Sequence, residues 1–378
     1  MRVFPLQNKI VASTFRGRRY GDNPQYILEQ LHEINPDVQI IWVIQKGFDY
    51  FLPSYFKTVD HYSIFKKTYH YATAKVWINT HRMQSEMRKR RDQLFIETWH
   101  GGLGIKKIEL DSKANLQKWE IAELKNTAKM ADIFISNSNH LTRTYRNAFQ
   151  YNGVIWKCGY PKNDILLTAQ NIYPHKIKTY WRLPEETRIM VYAPTFREGF
   201  SHRDLLSKVY TIDLTRIKET LEAYWGGKWT VLVKWHPVMK DFADISYENV
   251  IINATSYQDM QKLILAADAF ISDYSSCIFD AALRRIPCFT YAADFEDYKK
   301  DRGVYYEMEE LPFPYAKNND ELIQNIQSFD MDSYLKRWDA FTERCGLYES
   351  GHAAKDIAFV INEFIKGNKG PLRGIQSD

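Results

Sequence analysis

Short apolar runs alternate along the chain with segments in which apolar residues recur at helical spacing. Runs of strand length occupy residues 9–14, 38–45, 75–80, 93–99, 131–138 and 154–156, and then 188–195, 229–237, 249–253, 268–274 and 287–292. Helical segments occupy residues 24–34 and 139–149 and the neighbourhoods of 211–224, 256–266 and 275–285. This alternation is typical of parallel α/β sheets, so the chain is predicted to form two wound sheets, one in each half.

An internal echo supports two similar halves. Residues 131–137 read ADIFISN and residues 267–273 read ADAFISD, in equivalent strand positions, and each segment falls late in its own half of the chain. Between the halves, residues 160–187 carry prolines and polar residues and lead into the second series of strands. We therefore predict domains of residues 1–183 and 184–378.

Length and composition agree with two globular domains. The 378 residues exceed the roughly 100–200 residues of one domain, and 45% of them are hydrophobic. The net charge of +5 is too small for a protein that coats nucleic acid. No apolar run approaches the roughly 20 residues of a membrane span, and the start of the chain lacks the apolar stretch of a secretory signal. We therefore expect a cytoplasmic protein whose four scattered cysteines are reduced.

A glycine-rich turn with a histidine and two lysines follows the strand at 93–99. It contains, in order, His100, Gly101, Gly102, Lys106 and Lys107. In open α/β sheets, ligands bind at the carboxyl ends of the strands, where glycines let backbone N–H groups approach phosphate and lysine supplies positive charge. Neither the Walker nor the Rossmann glycine spacing is present. The turn is predicted to bind an anion, and the alternative is a solvated turn with a capping histidine.

A second histidine ends a strand in the other half, in the segment Lys234-Trp235-His236-Pro237. Taken alone, such a histidine is more often a structural hydrogen-bonding residue. Together with His100 it suggests two imidazoles that face a cleft, one taking a proton and one stabilising phosphate charge.

Polar side chains cluster where the strand at 268–274 runs into a helix. Four hydroxyl groups and one carboxyl group follow in the order Ser272, Asp273, Tyr274, Ser275 and Ser276. Backbone N–H groups and the helix dipole favour phosphate at such a position, although capping alone is the simpler alternative. Thr195 and Arg197 end the strand at 188–195. Arginine can bind a diphosphate with both arms of its guanidinium group, but Arg197 taken alone fits a surface cation equally well.

Basic and aromatic residues are interleaved in three stretches of the first half. They are Arg16, Arg18 and Arg19; then Phe51, Tyr55, Phe56, Lys57, Tyr62, Phe65, Lys66, Lys67 and Tyr69; and then Arg88, Lys89, Arg90 and Arg91. In interfacial membrane proteins, cations meet anionic lipid head groups while aromatic rings lie at the interface. The stretches indicate either an anionic membrane surface as a partner or a packed aromatic face with a solvated rim.

Across nearly its whole length the chain resembles the bacterial CDP-glycerol glycerophosphotransferase family, which comprises teichoic acid polyol-phosphate polymerases and primases. The segments that carry the resemblance are ASTFRGRRYGDNPQYI (12–27), IETWHGGLGIKKIELD (96–111), YAPTFRE (192–198), KWHP (234–237) and the block at 271–307. The last block is the most specific, because it combines SDYSS, Asp280 and DFEDY followed by RG in the order that the family uses.

The resemblance implies a GT-B type fold, in which two Rossmann-like domains with parallel sheets face each other across a cleft. It further implies that the N-terminal domain handles an undecaprenyl-diphosphate-linked acceptor and that the C-terminal domain binds CDP-glycerol. An acceptor hydroxyl would attack the phosphorus attached to glycerol and release CMP, in teichoic acid or capsule biosynthesis. Such an enzyme would lie peripherally on the inner face of the cell membrane.

The resemblance also implies roles for particular residues. His100 becomes the candidate general base, and His236 the group that contacts the phosphate under attack. The donor-side candidates are Thr195, Arg197, Asp273, Ser275, Ser276 and Asp280. The candidates for binding phosphate or acceptor are Gly101, Gly102, Lys106, Lys107 and Asp111. Positioning and charge stabilisation would suffice for this transfer, so we expect neither a metal nor a cofactor.

Two departures from the family pattern leave the polyol and the acceptor open. The family commonly has HGTPLKK where residues 100–107 read HGGLGIKK, and residues 311–315 replace a proline-glycine stretch. Ribitol-phosphate enzymes of the same family share these motifs, so CDP-ribitol is an alternative donor. A GT-B glycosyltransferase with a nucleotide-sugar donor, or a non-catalytic module that binds teichoic precursors, would also fit the motifs. The sequence leaves homo-oligomerisation, and the choice between primase and polymerase, undecided.

Overall fold

The computed structural model describes residues 4–48, 51–168, 173–197, 209–236 and 251–375, with the backbone alone at 113–115. The chain divides into two compact units. The first unit comprises Met1–Gly102, Ile108–Asp164 and Gly346–Asp378, and the second comprises Leu103–Lys107 and Ile165–Cys345.

The first unit is built on a parallel sheet of seven strands. The strands are β1 (Gln7–Ser13), β2 (Gln39–Ile44), β3 (Phe56–Asp60), β4 (Ala74–Asn79), β5 (Leu94–Glu97), β6 (Ile133–Ser136) and β7 (Val154–Lys157). Their order in the sheet is β3-β2-β1-β4-β5-β6-β7. The direction of winding therefore reverses between β1 and β4, and ligands of open α/β sheets bind at the carboxyl ends of the strands at such a reversal.

Helices cover this sheet because its strands are apolar on both faces, as parallel strands usually are. The helices are α1 (Asp22–Ile34), α2 (Ile64–Thr73), Lys118–Met130, Asn139–Ala148, Ala353–Ile365 and Gly370–Arg373, with short 3₁₀ segments at Phe15–Gly17, Glu109–Asn115 and Pro161–Asn163. In α1, for example, Ile27, Leu28 and Leu31 form the buried stripe that packs into the core.

The second unit is built on a parallel sheet of six strands. The strands are β8 (Arg188–Ala193), β9 (Trp229–Val233), β10 (Ile251–Asn253), β11 (Ala269–Ser272), β12 (Cys288–Tyr291) and β13 (Tyr315–Ala316), in the order β10-β9-β8-β11-β12-β13. The helices after Asn163 and before Gly346 are Asp164–Thr168, Tyr173–Tyr180, Leu214–Trp225, Met260–Ala266, Cys277–Ala282, Phe295–Arg302, Asn319–Gln327 and Met331–Cys345, with a 3₁₀ turn at Met308–Glu310. Its winding reverses between β8 and β11, so its topology repeats that of the first six strands of the other sheet.

The predicted division into 1–183 and 184–378 differs from this one: residues 103–107 and 165–183 belong to the second unit, and the helix Ala353–Ile365 near the end of the chain packs in the first unit. Its Ile357 and Ile361 belong to the core of the first sheet. The Asn35 side chain donates to Asn362 Oδ1 at 2.7 Å, and Lys75 Nζ donates to the Ile365 carbonyl at 2.6 Å. These apolar and polar contacts assign residues 346–378 to the N-terminal sheet.

The sequence echo has a local cause. Both segments form strands, β6 and β11, but the strand that matches β11 in the first sheet is β4, because each lies directly beside the first strand. In both segments the aspartate pairs with the backbone of a neighbouring strand: Asp132 Oδ2 accepts from Phe95 N–H at 2.7 Å and Asp268 Oδ2 accepts from Ile189 N–H at 2.8 Å. The two similar segments therefore share an aspartate that bonds a neighbouring strand at the start of their own strand. The prediction that they occupy equivalent strand positions is wrong.

No helix among the described residues is long and apolar enough to cross a membrane. The four cysteines, all of which lie in described segments, form no disulfide.

Candidate active site

His100 lies in a tight turn just beyond the carboxyl end of β5. The backbone of Trp99 adopts the left-handed conformation, with φ of 51°, which is unfavourable for a bulky residue. Its N–H donates to Glu97 Oε1 at 2.9 Å, and its indole is buried. The anchored Trp99 turns the chain sharply, and this turn sets the direction in which His100 leaves the sheet.

The imidazole of His100 is held in one orientation. Its Nδ1 lies 2.9 Å from the backbone carbonyl of Thr80, the residue after β4. Because a carbonyl only accepts, Nδ1 carries the proton and Nε2 of the neutral ring carries the lone pair. The rings of Trp99 and Phe15 flank the imidazole at centroid distances of 4.2 and 5.1 Å. This arrangement presents a basic nitrogen, as a general base requires.

Glu97 was not among the predicted site residues, and it is fully buried beneath this turn. Burial raises its pKa well above the usual value and thus favours the neutral acid. Its Oε2 is buried without a hydrogen-bond partner in the described residues. An acidic residue on an apolar strand that ends at a histidine was the available sequence signal.

The two glycines after His100 have specific neighbours. A Cβ on Gly102 would lie 2.6 Å from Asn137 Nδ2, so only glycine fits there without displacing that side chain. The Gly101 carbonyl accepts from the Tyr160 hydroxyl at 2.8 Å. The buried Lys162 donates from Nζ to the His100 carbonyl at 3.0 Å. The backbone of the turn is therefore fixed by side chains from residues 137–162.

The structure separates the predicted phosphate-binding residues into two groups. His100, Gly101, Gly102 and Asp111 belong to the first unit, whereas Lys106 and Lys107 belong to the second. Lys107 N–H donates to the Gly303 carbonyl at 3.0 Å, and Lys106 forms an antiparallel bridge with Val304. Asp111 lies half-buried in the 3₁₀ segment Glu109–Asn115.

Lys106 sits among the donor-side residues of the second unit. Burial and the nearby Arg302 lower its pKa, while Asp273 acts in the opposite direction. A lysine whose charge is poorly compensated is suited to bind an anion. The sequence predicts that Lys106 binds phosphate or acceptor, and the structure places it near the donor-side candidates Asp273 and Arg197.

Arg197 is buried in an ion-paired cluster, and its described contacts differ from those of a surface cation. Nε donates to Asp294 Oδ2 at 2.8 Å and Nη2 donates to Asp273 Oδ2 at 2.9 Å. The rings of Tyr274 and Tyr298 lie 4.5 and 4.8 Å from the guanidinium carbon. Burial lowers the pKa of Arg197, but the two carboxylates outweigh this effect and raise it. Both carboxylates and both rings therefore hold the guanidinium in place.

Asp273 joins the ends of β8 and β11. Its two carboxylate oxygens accept from Thr195 N–H at 2.9 and 3.0 Å, and Oδ1 also accepts from Tyr274 N–H at 2.6 Å. The Thr195 hydroxyl is buried and has no partner among the described residues. An oriented hydroxyl without a protein partner can hydrogen-bond a ligand oxygen.

The remaining donor-side candidates occupy different surroundings. Ser275 and Ser276 are half-buried at the start of the six-residue helix Cys277–Ala282; Ser275 Oγ accepts from Cys277 N–H at 3.5 Å, and the Ser276 side chain makes no cap bond. Asp280 is buried in that helix and accepts from Gln261 Nε2 at 3.2 Å. Ser275 thus bonds the start of the helix, whereas Asp280 faces a neighbouring helix.

His236 ends the segment that follows β9 and is exposed. Its ring stacks on Phe196, with centroids 5.7 Å apart and an angle of 24° between the planes. Just before it, the buried Lys234 donates from Nζ to the Thr255 carbonyl at 2.8 Å, which anchors the segment. Pro237 and Glu198, which belong to the motifs quoted above, lie outside the described residues.

Comparisons with known proteins identify the family. The teichoic acid poly(glycerol phosphate) polymerase of Staphylococcus epidermidis is 30% identical over 372 residues, which are 94% of this chain and 51% of that protein. The chain thus spans about half the length of this relative. The teichoic acid glycerol-phosphate transferase of Staphylococcus aureus is 28% identical, and the match covers 94% of this chain and 93% of that protein.

A solved structure shows the same architecture. The wall teichoic acid polymerase TagF, soaked with CDPG, matches with a TM-score of 0.84 and 28% identity over 96% of this chain and 90% of that chain. Together with the parallel sheet in each unit, this match confirms the predicted α/β fold of GT-B type. The family model described as CDP-Glycerol:Poly(glycerophosphate) glycerophosphotransferase matches residues 1–363. The chain belongs to this glycerophosphotransferase family.

Proposed function

We propose that the protein transfers glycerol phosphate from CDP-glycerol to a hydroxyl group of a lipid-linked saccharide or polyol-phosphate acceptor in teichoic acid or capsule biosynthesis. The acceptor oxygen forms a bond to the phosphorus that carries glycerol, and the bond from that phosphorus to the oxygen of CMP breaks. The acceptor loses its hydroxyl proton, and CMP leaves with the electron pair of the broken bond. The observation that carries this proposal is the fixed imidazole of His100 in a chain of this family.

His100 acts as the general base. The Nδ1–H bond to the Thr80 carbonyl leaves Nε2 as the nitrogen that accepts the hydroxyl proton. The same bond stabilises the imidazolium that forms, because the carbonyl faces the proton on the opposite nitrogen. Glu97 acts indirectly, by holding Trp99 and hence the direction of the turn.

Donor binding is assigned to the second unit. We assign contact with the phosphate under attack to His236, contacts with the donor phosphates to Lys106, Ser275, Ser276 and the Thr195 hydroxyl, and a supporting role to Lys107. Arg197 and Asp273 act as positioning residues, because their mutual bond and the bonds from Thr195 to Asp273 fix the ends of β8 and β11. The buried Asp280 supports the serine turn through its helix.

We assign membrane association to an exposed apolar patch on the first unit. Phe51, Tyr62, Ile64 and Phe65 expose between 68% and 88% of their surface, and the exposed Lys57 and Lys66 lie in the same stretch. Apolar rings inserted at the interface and lysines against anionic head groups would hold the protein peripherally on the inner face of the membrane. Phe65→Ser should release it from vesicles that contain phosphatidylglycerol, whereas exchange of the exposed Tyr224 of the second unit for serine should not.

The proposed reaction is tested with purified protein, CDP-glycerol and a lipid-linked disaccharide. We expect CMP and an acceptor whose mass grows by glycerol phosphate units, and the number of units separates a primase from a polymerase. A parallel reaction with CDP-ribitol decides the polyol. Release of CDP from a nucleotide sugar would establish a glycosyltransferase instead, and CDP binding without turnover of either donor would establish a binding module.

A further inference from the structure

A small cavity lies in the first unit where the winding of its sheet reverses, beyond the carboxyl ends of β1 and β4. We call it the anion cavity. Its volume is about 20 Å³. Its polar lining includes Ser13, Arg16, His61, Lys67, His81 and Arg82, and none of the described lining residues carries a carboxylate. A cavity at this edge that carries only neutral and cationic polar groups is suited to an anion.

Lys67 is the most unusual member of the lining. Its side chain projects from α2 and is only 6% exposed. Nζ donates to Gln84 Oε1 at 3.1 Å, and no carboxylate of a described residue lies within 4.0 Å of it. Burial lowers its pKa in spite of the opposing charges of Glu86 and Asp60, neither of which forms an ion pair with it. Such a group gains stability when an anion binds beside it.

Ser13 supplies an independent sign of a missing ligand. It is the last residue of β1 and is 1% exposed. Its hydroxyl oxygen is buried without a hydrogen-bond partner in the described part of the chain. Buried hydroxyl groups are nearly always satisfied, so an unsatisfied one in a cationic cavity points to an oxygen ligand that completes it.

The two arginines form the solvent side of the anion cavity, because their side chains are 31% and 15% exposed. Nη2 of Arg16 pairs with Glu123, and the two Nη atoms of Arg82 pair with Glu109 and Glu120. These pairs use only some of the five N–H groups of each guanidinium. The arginines are thus both positioned by carboxylates and able to donate to an incoming anion.

The two histidines contribute hydrogen-bonding groups without adding charge. His81 Nδ1 accepts from Arg16 N–H at 3.4 Å, so Nε2 of the neutral ring carries a proton and can donate. Burial and the nearby Arg16 lower the pKa of His81, and burial, Lys67 and Arg16 lower that of His61 to about 4 in spite of Asp60. Both rings are therefore neutral donors or acceptors in a site whose charge comes from lysine and arginine.

The size of the anion cavity limits what can enter. One buried water needs about 10–15 Å³ by this measure, so about 20 Å³ holds one or two groups of that size. The terminal oxygens of a phosphate fit this space, whereas a sugar ring does not. The rest of the ligand would extend outward past Arg16 and Arg82.

Two neighbouring features indicate which phosphate this is. The helix that carries Lys67 begins with the exposed Ile64 and Phe65 of the patch assigned to the membrane. His81 directly follows Thr80, whose carbonyl orients His100. The anion cavity thus shares one helix with the membrane patch and one loop with the general base.

We infer that the anion cavity binds a phosphate group of the lipid-linked acceptor. Two phosphates have the required chemistry: the phosphodiester of a glycerol phosphate unit already present on the acceptor, and the diphosphate of the lipid carrier. The inference rests on the proposed function for the identity of the ligand, and the anion site itself follows from the lining alone.

The first test measures anion binding without turnover. In the presence of saturating CDP, which occupies the donor phosphate positions assigned to the second unit, inorganic phosphate should raise the melting temperature of the wild-type protein and of Lys9→Gln, but not that of Lys67→Gln. Lys9 is a suitable control because it is also a buried lysine, bonded to Gln7 and Thr73 near the opposite end of β1. Ser13→Ala, which removes only a hydroxyl group, should weaken phosphate binding without abolishing it. This variant is used for the test if Lys67→Gln does not fold. Equal phosphate stabilisation of all these proteins would overturn the inference.

The second test measures acceptor kinetics. In Lys67→Gln the KM for acceptor should rise about tenfold or more, the usual effect of losing one charge-assisted hydrogen bond, while kcat and the KM for CDP-glycerol stay unchanged. Lys67→Arg should recover part of the loss. The KM is measured with two acceptors, the lipid-linked disaccharide and the same lipid already carrying glycerol phosphate. A KM increase only with the second acceptor identifies the phosphodiester as the ligand. A KM increase with both acceptors identifies the lipid diphosphate.

An unchanged acceptor KM in folded Lys67→Gln would contradict the inference while leaving the proposed function intact. Conversely, if the wild-type protein turns over no donor, the proposed function fails, and the phosphate titration still decides whether the anion cavity is a site.

Discussion

The Nδ1 atom of His100 and the carbonyl oxygen of Thr80 lie 2.9 Å apart, so a residue after β5 is oriented by the backbone that follows β4. A backbone carbonyl can only accept a hydrogen bond, whereas a hydroxyl group can donate or accept one. The carbonyl therefore fixes the tautomer of the ring more firmly than a hydroxyl would. This relationship makes Nε2 the nitrogen that takes the acceptor proton.

Replacement of His100 by asparagine should lower kcat by about 10²–10⁴-fold, the usual contribution of a general base. Binding of CDP-glycerol should change little, because the donor side is assigned to the second unit. His352→Asn is a matched control, since the ring of this exposed histidine pairs with Asp356 at the start of the helix Ala353–Ile365. Turnover by His100→Asn at the wild-type rate would remove His100 from the chemistry.

Glu97→Gln should make stability less sensitive to pH. Burial raises the pKa of Glu97 in the folded protein, whereas the unfolded chain ionises it near 4.5, so between these two pKa values the folded state binds more protons. The free energy of unfolding should therefore fall as pH rises from about 4.5 through the raised pKa of Glu97. Glutamine cannot ionise, and it keeps an oxygen for the Trp99 N–H.

Urea denaturation at several pH values checks this expectation. The difference in unfolding free energy between Glu97→Gln and wild type should shift in favour of the variant as pH rises. The exposed Glu219→Gln should instead run parallel to the wild-type protein. Parallel curves for both variants would show that Glu97 does not hold a proton in the folded state.

Arg197→Met should destabilise the protein by about 3–5 kcal/mol, because it leaves the buried Asp273 and the half-buried Asp294 without their shared cation. The control is Arg216→Met, which breaks an exposed pair with Asp320 and should cost at most about 1 kcal/mol. Denaturant unfolding measures both. A small effect at Arg197 would mean that the cluster does not hold the ends of β8 and β11.

Gly102→Ala should lower the free energy of unfolding, or raise the activation free energy of turnover, by about 1–3 kcal/mol. The reason is that the new Cβ would lie 2.6 Å from Asn137 Nδ2. Asn137 cannot move without losing its bond to Glu349 Oε1, which is 2.8 Å long. Gly104→Ala is the control, because its Cβ would meet nothing within 4 Å. Thermal unfolding and steady-state rates should separate the two variants, and equal behaviour would contradict the packing described here.

Periodicity predicts the longest strands because they are buried on both faces and therefore apolar throughout, as in β1, β2 and β8. It misses β3 and the two-residue β13, since an edge strand such as β3, with exposed Lys57 and Thr58, lacks a continuous apolar run. The predicted domains also place residues 346–378 in the second half, whereas the helix Ala353–Ile365 packs in the first unit. Helical spacing shows that a face will be buried, but it does not show against which sheet.

The motifs locate His100, but the groups that orient it come from distant parts of the sequence. Thr80, Lys162 and Asn137 reach the turn only after folding, and none belongs to the segments that carry the family resemblance. The anion cavity likewise combines Ser13 and Lys67, which are 54 positions apart in the sequence. The roles assigned to the site residues remain predictions that the experiments above address.

The most direct test follows the phosphorus atom that carries glycerol. CDP-glycerol labelled with ³²P at that position is mixed with the protein and a lipid-linked disaccharide, and the label is divided between lipid product and nucleotide. Glycerol phosphate transfer predicts that the label moves entirely to the lipid product while unlabelled CMP is released. Label that stays on the nucleotide as CDP, with glycerol alone transferred, would contradict the account.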